Sequence, residues 1–235
     1  MNRKAVITGA TKGIGRAIAE ALATEGYDLT VCSRHQEDLD ALKVDFSERF
    51  PDIELLTKVV DVSKKSEILA FADWIIKTGH RVDVLVNNAG VFISGSIQNE
   101  ADDALETMLN VNLMSAYNLT RALLPTMLAR KRGYIFNLCS AASIRAYTNG
   151  GSYSISKFAL LGFSKNLREE LKETGIKVTS ILPGATWSDS WAGFDAPESR
   201  LMQARDIGEV VVSALRMSAS AVIEEILMRP QLGDL

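Results

Sequence analysis

Short apolar segments alternate with amphipathic segments along the whole chain of 235 residues. Apolar runs of strand composition are each followed by a stretch of helical periodicity, and glycine or proline commonly ends a segment. Strands are predicted at 5–7, 29–32, 55–60, 82–86, 134–138, 177–182 and 222–228. Helices are predicted at 13–25, 36–49, 64–78, in two pieces over 101–131, from the region of 153 to about 174, and at 206–218.

Strands that alternate with helices form parallel βαβ units, so we predict an α/β fold with a doubly wound parallel sheet of about seven strands. Without a linker or repeat, this pattern predicts one domain over 1–235, with a loop at about 185–205.

Composition limits the partners and the compartment. A net charge of −3 argues against nucleic acid and against a membrane surface, and no apolar run is long enough to span a bilayer. The first apolar stretch is broken by Gly9 and is too short for a signal peptide. Cys32 and Cys139 each lie in an apolar segment, which fits a reducing, cytoplasmic setting. His35 and His80 are isolated, so no metal site is predicted.

A glycine-rich turn joins the first predicted strand to the first predicted helix. Glycines at such a turn let the backbone approach a pyrophosphate, whose charge the helix N-terminus stabilises. The spacing Gly-x-x-x-Gly-x-Gly could also be ordinary loop chemistry, but the flanking strand and helix favour a dinucleotide and therefore a Rossmann-type domain. The predicted contacts are Gly9, Thr11, Lys12, Gly13, Ile14 and Gly15.

The end of the second strand indicates which dinucleotide binds. An NAD site places an acidic residue there for the ribose 2′-hydroxyl, about 20 residues past the glycines. This chain has Ser33 and Arg34 instead, and Arg34 could pair with a 2′-phosphate with the help of Lys12. The alternative is that both cations are simply solvated. His35 could also approach the phosphate, but its context favours a plain loop histidine. We predict NADP(H) as the cofactor.

Tyr153, Lys157 and Ser140 form a candidate proton-transfer site. Tyrosine is normally too weak an acid to work near neutral pH. In a helix Lys157 lies one turn from Tyr153, and its positive charge would favour the tyrosinate form. A serine hydroxyl alongside could hold the oxygen of a reacting carbonyl or alcohol. The pair alone occurs by chance in many helices, so its weight depends on the remaining motifs.

All of these segments, taken in order and at their spacing, resemble the short-chain dehydrogenase/reductase family over essentially the whole chain. The C-terminal stretch from Glu225 through Asp234 resembles its sepiapterin-reductase-like or ketoacyl-reductase-like members. The segments that carry the resemblance are Thr8–Gly15, Asn87–Gly90, Asn112, Ser140, Tyr153, Lys157 and Pro183–Gly184.

The resemblance implies catalytic roles for four residues. Tyr153 would be the general acid in reduction and the base in oxidation. Ser140 would hydrogen-bond the substrate oxygen, and Lys157 would bind the nicotinamide ribose. Asn112 would hold a water molecule that links Lys157 to solvent.

The resemblance also implies further cofactor contacts. Asp61 and Val62 would lie at the adenine, and Asn88, Ala89 and Gly90 on the ribose side. Pro183 and Gly184 would form the turn beside the nicotinamide. The family usually has a threonine five residues after the proline to hold the carboxamide. Here that position is Ser188, and Thr186 is a competing candidate.

Substrate contacts are expected between the catalytic residues and in the loop after Pro183. Ile144 and Tyr147 lie between Ser140 and Tyr153, and Trp187 and Trp191 lie in the loop. Together with Phe194, the two tryptophans could form an apolar lid over a bulky or flat substrate. They could equally pack on the last helix or on a neighbouring subunit.

The leading hypothesis is an NADPH-dependent oxidoreductase that reduces a ketone or aldehyde to an alcohol. A non-catalytic NADP(H)-binding sensor or structural protein with the same fold is the alternative from another class. An epimerase or dehydratase acting on nucleotide sugars would share the fold, but the chain leaves little room for its usual substrate domain. The resemblance implies a homodimer or homotetramer.

Overall fold

The computed structural model describes residues 2–79, 81–187 and 197–233. The strands are β1 Lys4–Thr8, β2 Asp28–Ser33, β3 Leu55–Val59, β4 Val84–Asn87, β5 Gly133–Leu138, β6 Ile176–Pro183 and β7 Glu225–Met228. The α-helices are α1 Gly13–Thr24, α2 Gln36–Arg49, α3 Lys65–Lys77, α4 Ala104–Leu109, α5 Ser115–Arg130, α6 Gly151–Leu171 and α7 Ala204–Leu215. A π-helical turn, Asn110–Met114, joins α4 to α5, and 3-10 turns lie at Ala141–Ser143 and Glu198–Arg200.

The strands form one parallel sheet in the order β3-β2-β1-β4-β5-β6-β7. Each neighbouring pair is parallel, with Ala5 beside Leu29 of β2 and beside Val84 of β4. The predicted doubly wound α/β fold is therefore confirmed. The order reverses between β1 and β4, and in open sheets a ligand crevice forms beyond the carboxyl ends of the strands at such a point.

The hydrophobic core lies in two layers, one on each face of the sheet. Side chains alternate across a strand, so Ala5 and Ile7 of β1 pack in one layer and Val6 in the other. The first layer is formed with α1, α2 and α7, and the second with α3, α5 and α6. At α7, a Cβ on Gly208 would lie 2.8 Å from the Ala17 carbonyl oxygen, so this glycine lets α7 approach α1 closely.

A chain of buried polar side chains fastens α5 and α6 to the centre of the sheet. The Asn87 amide donates to Thr120 Oγ1 on α5 at 2.9 Å and to Asn137 Oδ1 on β5 at 2.8 Å. The Asn137 amide donates to Ser164 Oγ on α6 at 2.9 Å, and Ser180 Oγ on β6 donates to the same oxygen at 2.7 Å. Buried polar groups are costly unless they are paired, so this network favours one placement of α6 on the sheet.

The element boundaries differ from the sequence prediction in several places. The predicted helix over 206–218 begins at Ala204, because Gln203 and Asp206 cap each other's backbone N–H groups. The predicted strand at 222–228 has its ladder only from Glu225, and α6 ends at Leu171 instead of about 174. None of the helices within the described ranges combines the length and the hydropathy that crossing a bilayer requires.

Candidate active site

A cleft of about 340 Å³ lies beyond the carboxyl ends of β1, β2, β4 and β5. The glycine turn lines it through the six residues predicted there, which are Gly9, Thr11, Lys12, Gly13, Ile14 and Gly15. Gly9 and Gly13 have φ values of +67° and +56°, which side chains rarely adopt. A Cβ on Gly15 would lie 2.1 Å from the Gly9 carbonyl oxygen. Side chains at these positions would fill the turn, so its shape fits a closely approaching dinucleotide.

The turn after β4 braces the glycine turn. Asn88 Nδ2 donates to the carbonyl oxygens of Thr8 at 2.8 Å and of Gly9 at 2.9 Å. In return, Thr8 Oγ1 accepts from the backbone N–H groups of Asn88 and Ala89. Asn88, Ala89 and Gly90, all predicted cofactor contacts, line the cleft. The position of one turn therefore depends on the other.

The ends of β2 and β3 form the far end of the cleft. Ser33, Arg34, Asp61 and Val62 line it as predicted, and Thr11 Oγ1 donates to Ser33 Oγ at 3.5 Å. Hydrogen bonds from Ser63, together with the charges of Lys64 and Arg34, hold the pKa of the Asp61 carboxyl below its usual value against the opposing effect of burial. His35, which its sequence context indicates to be a plain loop residue, also lines the cleft. Arg34 thus supplies a cation at the end where the sequence predicts a 2′-phosphate.

Tyr153 and Lys157 lie one turn apart on α6 and both line the opposite end of the cleft, with Pro183 nearby in the same wall. Lys157 is 4% exposed. Its Nζ donates to the Leu138 carbonyl oxygen at 2.8 Å and lies 5.8 Å from the centroid of the Tyr153 ring. One backbone contact therefore fixes the ammonium beside the phenol and leaves it further N–H groups for a ligand.

The Asn112 side chain connects this end of the cleft to the turn after β4. Its Oδ1 accepts from Val91 N–H at 2.8 Å, and its Nδ2 donates to the Val91 carbonyl at 3.0 Å and to Ser156 Oγ on α6 at 2.8 Å. A Cβ on Gly90 would lie 3.3 Å from Asn112 Oδ1 and 3.5 Å from Lys157 Nζ. Asn112 therefore lies beside Lys157, but its amide is committed to protein partners. The water relay implied for it stays a prediction.

Ser140 follows β5 directly and begins a 3-10 turn. Its N–H donates to Ser143 Oγ and its Oγ accepts from Ala142 N–H, both at 3.1 Å. These contacts use a lone pair of the Ser140 hydroxyl and not its hydrogen. Ser140 is not part of the cleft wall itself, but its neighbour Cys139 is.

Phe92 is a wall residue that no sequence pattern indicated. Its ring meets the Tyr153 ring edge-on, with centroids 5.0 Å apart and an interplanar angle of 85°. Phe92 is also 42% exposed, which makes it an apolar surface at the Tyr153 end of the cleft. The signal that could have identified it is its position two residues beyond Gly90, where the chain leaves β4.

Several predicted contacts fall outside the cleft wall. Gly184 continues the sheet, because its N–H donates to the Met228 carbonyl at 2.7 Å. Thr186 is buried and its hydroxyl donates to the Gly184 carbonyl at 3.0 Å, so this group already has a partner. Ile144, Tyr147 and Trp187 are exposed but do not line the cleft. Ser188, Trp191 and Phe194 lie outside the described residues.

Two buried thiols, Cys32 and Cys139, also line the cleft. Burial raises the pKa of Cys32 to about 12 and that of Cys139 to about 11. Within the described ranges, no group of three or more histidine, cysteine or acidic side chains could hold a metal ion.

These thiols are expected to resist alkylation in the folded protein. A raised pKa leaves the thiolate, the reactive form, scarce until the pH approaches about 11. At pH 8 we expect iodoacetamide to label both thiols on the order of 100-fold more slowly than in the unfolded chain. Mass spectrometry of labelled peptides measures the two rates, and labelling in guanidinium is the control. Labelling of Cys139 at the unfolded rate in native buffer would contradict the assignment.

A protein-family profile matches most of the chain. The profile of the family described as short chain dehydrogenase matches residues 3–198. An uncharacterized oxidoreductase of Staphylococcus saprophyticus is 31% identical over 232 residues, and the alignment covers 97% of each chain. The sepiapterin reductase of Chlorobaculum tepidum is 30% identical over 243 residues, covering 98% of this chain and 97% of the relative.

Solved structures agree with this comparison. An alcohol dehydrogenase from Thermococcus sibiricus, complexed with 5-hydroxy-NADP, superposes with a TM-score of 0.91 at 26% identity, covering 100% of this chain and 99% of that one. A metagenomic short-chain oxidoreductase in complex with NADP superposes with a TM-score of 0.85 at 32% identity, with 97% of each chain covered.

Proposed function

The chain belongs to the short-chain dehydrogenase/reductase family, and we propose that this oxidoreductase uses NADPH to reduce a ketone or aldehyde to an alcohol. One observation carries the proposal. A glycine turn shaped for a dinucleotide and the Tyr153–Lys157 pair line the two ends of a single cleft. A cofactor held by the turn would therefore extend toward a residue able to transfer a proton.

NADP(H) is the cofactor that the cleft fits. Two of the solved relatives are complexes with NADP or a hydroxylated NADP. Gly9, Gly13 and Gly15 would hold the pyrophosphate, and Arg34 and Lys12 the 2′-phosphate. When bound, NADPH supplies the hydride. Asp61 and Val62 would contact the adenine, since they line the cleft beside Arg34.

Tyr153 would donate the proton to the carbonyl oxygen as the alcohol forms. The Lys157 ammonium, 5.8 Å from the ring centroid, stabilises the negative charge that remains on the phenol. Its free N–H groups would also bind ribose hydroxyls. Because Lys157 is buried and held by Leu138, this charge stays beside Tyr153.

Ser140 would hold the carbonyl oxygen with its hydroxyl hydrogen, which its contact with Ala142 leaves unused. A donor aimed at the developing negative charge lowers the barrier to reduction. The 3-10 turn restricts where the Ser140 backbone can lie, so the donor is placed before the substrate arrives.

The substrate would carry an apolar group beside the carbonyl. Phe92 offers an exposed ring next to Tyr153, and Ile144, Tyr147 and Trp187 are exposed apolar side chains in segments predicted to contact substrate. Apolar and aromatic walls with a few polar groups are typical of pockets for small organic ligands.

A panel of aldehydes and ketones assayed with NADPH and with NADH tests the proposal. The panel should include apolar aromatic ketones, small diketones and short polar ketoses. We expect turnover with NADPH, and higher kcat/KM for ketones with an apolar substituent. Tight NADPH binding without turnover of any carbonyl would favour a non-catalytic NADP(H) sensor instead.

Replacing Arg34 with aspartate is expected to weaken NADPH binding by about 10- to 100-fold, since a charge-assisted hydrogen bond contributes about 1.5–3 kcal/mol. The dissociation constant for NADH should change by less than about threefold, because NADH has no 2′-phosphate. Titration of the reduced cofactor, followed by fluorescence, measures both affinities. Lys43→Asp, an exposed position on α2, is the matched charge control. Equal losses for the two cofactors would mean that Arg34 does not contact the 2′-phosphate.

A further inference from the structure

The helix that carries Tyr153 is capped at its N-terminus by a distant segment. Helix N-termini leave backbone N–H groups without intrahelical acceptors, and a side chain at the N-cap normally accepts from one of them. The N-cap of α6 is Gly150, which has no side chain to accept with. The acceptors for the first turn must therefore come from elsewhere.

Glu100 and Gly95 supply acceptors to this turn. Glu100 Oε2 accepts from Ser152 N–H at 3.3 Å, and Glu100 Oε1 accepts from the Ser152 hydroxyl. The Gly95 carbonyl accepts from Gly151 N–H at 3.3 Å, and Gly95 N–H donates to the Asn149 carbonyl at 3.0 Å. Ser152 is 1% exposed, so its side chain is directed into these contacts and not into water.

The segment that contains Gly95 and Glu100 is also attached to α6 at its other end, through Asn112. We call residues 91–100 the post-β4 segment. Asn112 holds both backbone groups of Val91, at the start of the segment, and donates to Ser156 on α6. Ser156 Oγ in turn donates to the Tyr153 carbonyl at 2.7 Å. The post-β4 segment is thus fastened to α6 before and after the position of Tyr153.

This arrangement determines how Phe92 meets Tyr153. Phe92 lies in the post-β4 segment next to Val91, and its ring packs edge-on against the Tyr153 ring. Ser152, the residue that Glu100 holds, is the immediate neighbour of Tyr153. A shift of the first turn of α6 would therefore move the phenol relative to both Phe92 and Lys157.

We propose that Glu100 is a positioning residue that holds the first turn of α6, and with it Tyr153, against the post-β4 segment. The inference rests on the proposed function, in which Tyr153 transfers the proton. A carboxylate suits this place, because negative charge is stabilised at a helix N-terminus and it can accept two hydrogen bonds. Misplacing a reacting group by about 1 Å can lower a rate by about 100-fold.

The test measures turnover, cofactor affinity and local hydrogen exchange in the same variants. For Glu100→Ala we expect kcat to fall by about 10- to 100-fold, with the NADPH dissociation constant within about twofold of the parent, because the glycine turn belongs to other elements. Amide exchange in residues 151–156 should accelerate, while exchange in α1 should not change. Glu100→Gln keeps one accepting oxygen, so its kcat should lie between those of the parent and Glu100→Ala.

Two further variants identify the contact. Ser152→Ala removes the hydroxyl partner in a helix-compatible way and should lower kcat severalfold. The double variant with Glu100→Ala should be no slower than Glu100→Ala alone, since the hydrogen bond of the Ser152 hydroxyl is already lost when Glu100 is replaced. Glu106→Ala, an exposed position on the nearby helix α4, is the control and should keep parental kcat and exchange.

Opposite outcomes overturn the proposal. A Glu100→Ala variant with kcat within twofold of the parent would show that Tyr153 does not depend on this cap. Equal losses of NADPH affinity and kcat, together with faster exchange throughout the protein, would assign Glu100 to general stability. If the parent reduces no carbonyl, the proposed function fails. Hydrogen exchange is then the measurement that tests whether Glu100 holds the first turn of α6. Unchanged hydrogen exchange in residues 151–156 of Glu100→Ala would then refute the positioning role of Glu100.

Discussion

Replacing Tyr153 with phenylalanine is expected to lower kcat for carbonyl reduction by about 100- to 10,000-fold, the usual contribution of a positioned general acid. Phenylalanine keeps the ring and therefore its edge-on contact with Phe92, but it has no proton to donate. The dissociation constant for NADPH should stay within a fewfold of the parent, because Lys157 and the glycine turn remain.

Stopped-flow single turnover with excess enzyme and the best ketone of the panel measures the loss directly. Tyr117→Phe is the matched control, because it also removes one phenol hydroxyl. The Tyr117 hydroxyl, on α5, accepts from Arg121 near the surface. That variant should retain parental kcat. A Tyr153→Phe variant with full activity would refute the role of Tyr153 as proton donor, whatever the substrate.

Replacing Gly15 with alanine is expected to weaken NADPH binding by about 100-fold or more and to destabilise the fold. The added Cβ would lie 2.1 Å from the Gly9 carbonyl oxygen, a backbone clash that no side-chain rotation can relieve, and 2.3 Å from Asn88 Nδ2, which would have to leave its place. The turn must shift, and the bonds from Asn88 to Thr8 and Gly9 must lengthen or break. Losing hydrogen bonds while leaving their groups buried costs about 1–3 kcal/mol each.

Titration with NADPH and urea unfolding of the same samples measure the two effects. Gly162→Ala is the matched control, because this glycine also lies in a helix and its Cβ would meet no atom within 4 Å. That substitution should stabilise the protein by about 0.5–1 kcal/mol, the difference in helix propensity, and leave NADPH affinity unchanged. If Gly15→Ala keeps parental NADPH affinity and is not destabilised in urea, the expected clash between its Cβ and the Gly9 carbonyl oxygen does not occur.

Local features of this chain follow from short stretches of its sequence. The glycines of the first turn follow an apolar strand and precede an amphipathic helix, and each of these signals spans only a few residues. The spacing of Tyr153 and Lys157 is a property of one helix, so their shared face follows from helical geometry alone. The order of strands and helices likewise predicts a parallel sheet with a crevice at its carboxyl edge.

Contacts between distant segments cannot be predicted in this way. The bond between Glu100 and Ser152 joins residues 52 positions apart, and the clamp of Asn112 on Val91 joins residues 21 positions apart. Neither pair has a periodicity or a local motif that marks it. The contacts of the Asn112 side-chain amide with Val91 and Ser156 are of this kind, and the water relay that the family resemblance implies for Asn112 stays a prediction.

The sequence by itself determined the fold class, the cofactor turn and the Tyr153–Lys157 pair, because hydrophobic periodicity and backbone freedom act over a few neighbouring residues. Only the tertiary structure decided that Phe92 faces Tyr153 and that the post-β4 segment caps α6. These arrangements exist because β1 pairs with β4 and β4 with β5, which brings separate loops to one edge of the sheet. Strand pairing over such separations depends on packing of the whole core, which no local pattern encodes.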